Sequence, residues 1–243
     1  MKYLLITLSV LFFGIGVAMS YLPADQFIEA GSITAVLFLS LPAFYGMWKI
    51  YRKSGVLAII GLGLLALTIE TIGIHTGFPY SHFDYIMPFG YRILGTTPWT
   101  VFIAWSPLVI GAYLLAQSWF KQWWSRILIY LGLLIGTDLV LDPGAVARGL
   151  WQYESLGLWY NVPLQNFLGW IFSGLIAYAI LKFGLSEITM SSKNLIMGSL
   201  SLILSITLWS GVTFGYNIWL PAIIGIILSI IIIFRLIKKP SLK

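Results

Sequence analysis

Apolar residues fill this chain in long blocks, broken by short segments rich in charge, glycine, proline and aromatic rings. A bilayer-spanning helix takes about 20 mostly apolar residues. By that measure the pattern predicts spans near 3–21, 30–48, 56–74, 98–118, 126–144, 164–182, 195–214 and 217–237. The last two are separated only by a tight turn around Gly215–Asn217. The first block, with Lys2 ahead of it, has the shape of a signal peptide, but its apolar run exceeds the usual 7–15 residues, so it is kept as a helix. The expected fold is all-α: a polytopic transmembrane helical bundle of about eight spans. No internal repeat, low-complexity tract or long linker divides it, so 1–243 reads as a single integral membrane domain.

Composition agrees with lipid as the solvent. The chain is 59% hydrophobic and 9% charged, where a soluble domain carries about a quarter charged residues. Its mean hydropathy is +0.93. With no cysteine, disulfides, iron–sulfur clusters, thiolate nucleophiles and cysteine zinc sites are excluded. Only two histidines are present, too few for the histidine boxes of membrane di-iron oxygenases. The net charge of +6 in such a chain reflects basic loops on one side of a membrane rather than nucleic-acid binding.

Those basic residues set the expected orientation. With the N-terminus inside, Lys2, Lys49, Arg52, Lys53, Lys121, Arg126, Lys182, Lys193, Arg235, Lys238, Lys239 and Lys243 fall on the cytoplasmic side, and only Arg92 and Arg148 fall outside. Twelve of fourteen on one side is a strong positive-inside bias. Both termini are therefore expected in the cytoplasm, in a multi-pass protein of the cell membrane. Glu70, His75, His82, Asp84, Asp138, Asp142, Arg148 and Glu154 then lie at or near the outer ends of helices, so any chemistry faces outward.

Candidate chemistry concentrates in two stretches, read as halves of one site. The first, Glu70 to Tyr91, is ETIGIHTGFPYSHFDYIMPFGY and holds both histidines. A carboxylate inside a spanning helix is expensive, so it faces the bundle interior and has a partner. Gly73 and Gly77 share a face with Glu70 and allow close approach of a helix or ligand. The bland reading of Glu70 is an interhelical hydrogen bond; the functional one is a carboxyl that keeps a proton available. The second stretch, Asp138 to Trp170, opens with Asp138 and Asp142 at i, i+4 on one helical face; Pro143 and Gly144 are expected to end that helix. Two carboxylates so close in low dielectric rarely ionise together, which suits acid–base work. The alternatives are a divalent metal site with phosphate oxygens and a helix-end hydrogen bond. His75, five residues from Glu70, is a polar candidate for the site; His82-x-Asp84 is too sparse a pattern for a metal. Phe78, Tyr80, Phe83, Tyr85, Phe89, Tyr91, Trp99 and Trp105 accompany Glu70, and Trp151, Tyr153, Trp159, Tyr160, Phe167 and Trp170 accompany Asp142. Interfacial belts explain some of these rings; ring faces also stabilise cations.

At these two stretches the chain resembles a family of integral membrane carotenoid-biosynthesis proteins, the hydratases of γ-carotene and bisanhydrobacterioruberin ψ-end groups. The first matching block is Glu70-Thr-Ile-Gly-Ile-His-Thr-Gly-Phe-Pro, continuing through Tyr85, Leu94-Gly95, Pro98 and Ala104-Trp105. The second is Asp138-x3-Asp142-Pro143, Gly149-Leu-Trp151, Gly157, Tyr160-Asn-Val-Pro163 and Asn166-Phe-Leu-Gly-Trp170. Where the family pattern has Phe-Gly after the first proline, this chain has Tyr80-Ser81. The resemblance implies hydration of the terminal C=C of an acyclic carotenoid in the bilayer, with no cofactor and no metal, in company with other carotenoid-biosynthesis enzymes. It implies Glu70, Asp138, Asp142 and His75 as catalytic candidates. Phe78, Tyr85, Trp105, Trp151, Tyr160, Asn166 and Trp170 become candidates for substrate binding. Competing readings are an end-group cyclase, an intramembrane prenyltransferase using the aspartate pair, and a transporter, against which the lack of paired repeats counts.

Overall fold

The computed structural model describes residues 2–22 and 29–238; Lys239 and Lys243, counted above among the basic residues, lie outside them. Among the described residues, eight helical stretches are long and apolar enough to cross a membrane, consistent with a multi-pass membrane protein. In chain order the elements are α1 (Lys2–Tyr21), α2 (Glu29–Tyr51), α3 (Lys53–Thr76), β1 (Phe83–Tyr85), β2 (Arg92–Ile93), β3 (Thr97–Pro98), α4 (Val101–Ala104), α5 (Ser106–Trp119), α6 (Trp123–Ala147), β4 (Trp151–Tyr153), α7 (Leu164–Gly184), α8 (Ser192–Gly215) and α9 (Trp219–Ile237). The expected fourth span is thus two helices, α4 and α5, meeting at Trp105, and the chain is not wholly helical: two small antiparallel sheets, β1–β4 and β2–β3, lie in the loops.

Helix α8 is the central post, and α1, α2, α5, α6 and α9 all pack along it. Association in lipid depends on close packing rather than on the hydrophobic effect, which favours small residues at crossings. Accordingly, a Cβ at Gly16 would collide with the backbone around Leu208–Val212, and one at Gly211 with Phe13. α1 and α8 therefore touch backbone to backbone. Gly46 and Gly198 do the same for α2 and α8.

Proline in a spanning helix removes an N–H and strands the carbonyl four residues earlier, which in lipid must find another donor. Contrary to expectation, Pro143 does not end its helix; α6 runs on to Ala147. The Leu139 carbonyl that Pro143 cannot serve accepts the indole N–H of Trp159 at 3.0 Å. Pro107, in the first turn of α5, strands Ile103 in the same way. That carbonyl lies 2.8 Å from the Ser40 hydroxyl of α2, which is also within 2.6 Å of Val36 O.

One end of the bundle is basic. There Arg126 and Lys182 both reach Glu187, at 2.9 and 2.7 Å, and these two cations hold its exposed carboxyl below the usual range. Arg52 lies over the Trp48 ring and Arg235 over Trp119, as cations with long stems do at an interface. The other end, where α3 and α6 finish, carries both small sheets and is the site end.

Candidate active site

Helix α3 delivers Glu70 to the site end and stops six residues later, at Thr76. Gly77 takes φ 73° and returns its N–H to Gly73 O at 2.8 Å, the left-handed cap that glycine provides cheaply. The chain then doubles back. Tyr80 is buried between α3 and α7: a Cβ at Gly73 would approach its ring to 3.1 Å, and one at Gly169 would strike the ring and the Pro79 carbonyl. What Gly73 admits is therefore neither a helix nor a ligand but this tyrosine. Ser81 follows at φ 79°, a left-handed conformation that suits the glycine of the family pattern better than serine.

β1 then pairs with β4, setting Phe83 opposite Tyr153, Asp84 opposite Gln152 and Tyr85 opposite Trp151. This pairing brings the two chemistry-rich stretches together. Side chains alternate across a strand, so Asp84 and Gln152 are exposed while Phe83 and Tyr153 are buried. The buried face is a continuous aromatic layer. Ring centroids are 5.7 Å apart for Phe83 and Tyr85, 5.8 Å for Phe83 and Tyr153, and 5.9 Å for Tyr85 and Trp151.

Each phenol of this layer donates to a carboxyl from a helix end. Tyr85 reaches Glu70 Oε2 at 2.6 Å, and Tyr153 reaches Asp142 Oδ2 at 2.7 Å. Burial first, and the adjoining carboxylate second, push both phenols well above their ordinary titration range. They remain protonated donors. Asn166, in the first turn of α7, points its Nδ2 at Asp142 Oδ2 (2.6 Å) and Asp138 Oδ2 (3.0 Å). One amide, with two hydrogens, thus bridges the i, i+4 pair. Asp138 is wholly buried, and its Oδ1 has no hydrogen-bond partner among the described residues. Glu70 and Asp142 lie within electrostatic reach of each other. Among the described residues no three of His, Asp or Glu gather as a metal site would require.

A cavity of about 380 Å³ opens against these groups, and its wall includes Glu70, Asp142, Tyr85, Tyr153, Asn166 and Arg148. The remainder is mostly apolar, with Trp105, Trp151 and Trp170 contributing large rings; those of Trp105 and Trp170 meet edge-on at 6.2 Å. Among the residues anticipated from sequence, Asp138 stands behind this wall, joined to it through Asn166. His75, Phe78 and Tyr160 do not line the cavity. His75 is exposed, with Nε2 3.4 Å from the Thr96 hydroxyl. The Phe78 ring leaves the site to meet Phe172, 5.3 Å away on the exterior of α7. Tyr160 turns outward at φ 50° against Trp159. Sequence reasoning missed the share that α1, α2 and α8 take in the wall, including Phe12, Leu39, Ser205 and Trp209. These residues sit in helix interiors that hold serines and threonines but no charged side chain to signal a site.

Fold and site together define a multi-span helical membrane protein whose apolar cavity carries carboxyls at one end. The chain belongs to the carotenoid biosynthesis protein family, which it matches over residues 30–232. It is similar to the bisanhydrobacterioruberin hydratase of Haloarcula japonica (strain ATCC 49778 / DSM 6131 / JCM 7785 / NBRC 101032 / NCIMB 13157 / TR-1), with 33% identity over 189 residues. That match covers 75% of this chain and 64% of the relative's length. No solved structure matches the chain.

Proposed function

We propose that this protein adds water across the terminal C=C bond of an acyclic carotenoid end group, giving a tertiary alcohol. The observation that carries the reading is the presence of Glu70 and Asp142 in the wall of one apolar, aromatic-rich cavity. Family membership and the similarity to a named hydratase support it.

In this reading the Glu70 carboxyl gives its proton to the less substituted alkene carbon, whose π pair forms the new C–H bond. The positive charge falls on the tertiary carbon. The faces of Tyr85, Trp151, Trp105 and Trp170 stabilise it, as ring faces stabilise any cation. A water oxygen bonds to that carbon while Asp142, backed by Asp138 through Asn166, takes the water's proton. Proton exchange between turnovers restores both carboxyls, so the sum is alkene plus water giving alcohol; no electrons are gained or lost. Exchanging the roles of Glu70 and the aspartate pair leaves the balance unchanged. General acid–base help of this kind is worth about 10²–10⁴-fold in rate. Tyr85 and Tyr153 act as positioning residues, each fixing one carboxyl oxygen. In this reading the site end faces outward from the cell membrane and both termini lie in the cytoplasm, which the positive-inside bias of the sequence supports.

The test is to express the chain in cells that accumulate lycopene or γ-carotene and to analyse the extracted pigments by mass spectrometry. The expected product gains one water per modified end. A pigment of unchanged mass and shortened chromophore would instead assign an end-group cyclase. Unaltered pigment in cells that contain the folded protein would overturn the reading.

A further inference from the structure

The cavity does not end at the carboxyls. It continues between α1 and α2, where Phe12, Ile15, Phe38 and Leu39 form its walls and Leu208 and Trp209 of α8 form its floor. α1 and α2 both pack along α8 but make little contact with each other, so the groove between them faces the surface that meets lipid. One ring pair closes it: Phe12 and Phe38 stack with centroids 6.4 Å apart and planes inclined by 11°. Phe38 is 59% exposed and Ile15 40% exposed, so this part of the wall is also the outer surface.

Depth follows from helix geometry. Phe12 is nine residues from the end of α1 at Tyr21, and Phe38 is nine residues from the start of α2 at Glu29. At 1.5 Å per residue both rings lie about 13–14 Å below the site end, near the middle of a hydrocarbon core roughly 30 Å thick. Glu70 and Asp142 are only six and five residues from the ends of their helices. The two ends of the cavity therefore differ in depth as well as in chemistry.

Resting on the function proposed above, we infer that this groove is a lateral port. The polyene chain of the substrate passes from the bilayer between α1 and α2, past the Phe12–Phe38 pair, and its end group alone reaches Glu70 and Asp142. Volume is the second argument. A drug-sized ligand fills a pocket of about 300–1,000 Å³, and this cavity, at about 380 Å³, is at the small end of that range. A long polyene places its terminus there and leaves the rest of its length in lipid. Both walls are seated on α8, α2 through Gly46 and Gly198, but they are restrained differently near the rings. α1 is fixed against α8 at Gly16 and Gly211, and Arg148 donates to the Met19 carbonyl near the end of α1. In α2, Pro42 has no N–H to offer the Phe38 carbonyl, so the backbone carries one restraint fewer at the gating ring.

Because the chain has no cysteine, the double variant Phe12→Cys/Phe38→Cys provides the only two thiols. It is reconstituted into vesicles loaded with lycopene and treated with a short, reducible bis-methanethiosulfonate cross-linker. Completeness of cross-linking is measured by mass. Lycopene entry is followed by quenching of tryptophan fluorescence, and hydration by pigment analysis. The expected result is at least a tenfold slower entry and hydration after cross-linking, restored by reductant, with both single variants insensitive to the same treatment. A fully cross-linked protein that binds and converts lycopene as fast as its reduced form overturns the port while leaving the proposed reaction standing. Untreated protein that binds lycopene without hydrating it, and whose binding is slowed by the cross-link, supports the port and overturns the reaction. Untreated protein that does neither overturns both. Ile15→Trp, at a lipid-exposed position of the same wall, narrows the groove without touching the thiols and is expected to slow entry several-fold.

Discussion

Glu70 accepts from one phenol through one oxygen, and that single bond makes it a good residue to change. In Glu70→Gln the amide oxygen still accepts from Tyr85, so the local geometry is kept while the exchangeable acid is lost. Turnover is expected to fall at least 100-fold, the low end of what general acid–base catalysis contributes, with an unchanged thermal unfolding midpoint. Normal activity would remove Glu70 from the reaction. Asn166 works the other way. Its amide bridges two buried aspartates, and Asn166→Ala leaves both carboxyls short of a donor away from water, at about 1–3 kcal/mol. Here activity and thermal stability should drop together, as measured by pigment conversion and fluorescence-detected unfolding; a variant as stable as the parent would show that the bridge is dispensable.

At the scale of elements, the apolar pattern located the eight long helices because each must satisfy its own backbone within lipid. It misplaced the end of α6, because a proline in lipid stops a helix only when no other donor serves the stranded carbonyl. Trp159 is twenty residues from Leu139, a partnership that local sequence does not announce. The break at Trp105 was hidden because α4 and α5 follow each other with no loop and no charge between them, although Pro107 marks the start of α5. Strands of two or three residues carry too little alternation to be read from sequence. The partnership gives a double-mutant prediction. Trp159→Phe in the parent chain should cost about 1–2 kcal/mol by leaving the Leu139 carbonyl unserved. In a Pro143→Ala background, where the backbone N–H returns, the same change should be nearly neutral. Equal costs in both backgrounds would dissolve the link between Pro143 and Trp159.

For the molecule as a whole, the acids and aromatics of the site were legible because polar groups in a spanning segment are rare and must be used. The cavity's apolar portion was not, since a leucine or phenylalanine facing a cavity and one facing lipid look alike in sequence. His75 and Phe78 were drawn toward the site by nearness along the chain, yet five residues of helix turn His75 about 140° away from Glu70, and the turn after Gly77 carries the Phe78 ring out to Phe172. The pairing of β1 with β4 has a different consequence for how the molecule can be divided. A cut after Lys121, between α5 and α6, leaves Glu70 and Tyr85 on one piece and Asp138, Asp142, Tyr153 and Asn166 on the other. Each piece keeps four of the eight long helices, so each can insert independently with both of its ends on one side. α8 on the second piece packs against α1, α2 and α5 on the first. Neither fragment alone should alter pigment, whereas the two produced in the same cell should reassemble and regain activity. Two stable fragments that co-purify but stay inactive would mean that the covalent link at Lys121, not the strand pairing, sets the site. If activity returns, the protein behaves as a heterodimer of half-sites that happens to be translated as one chain.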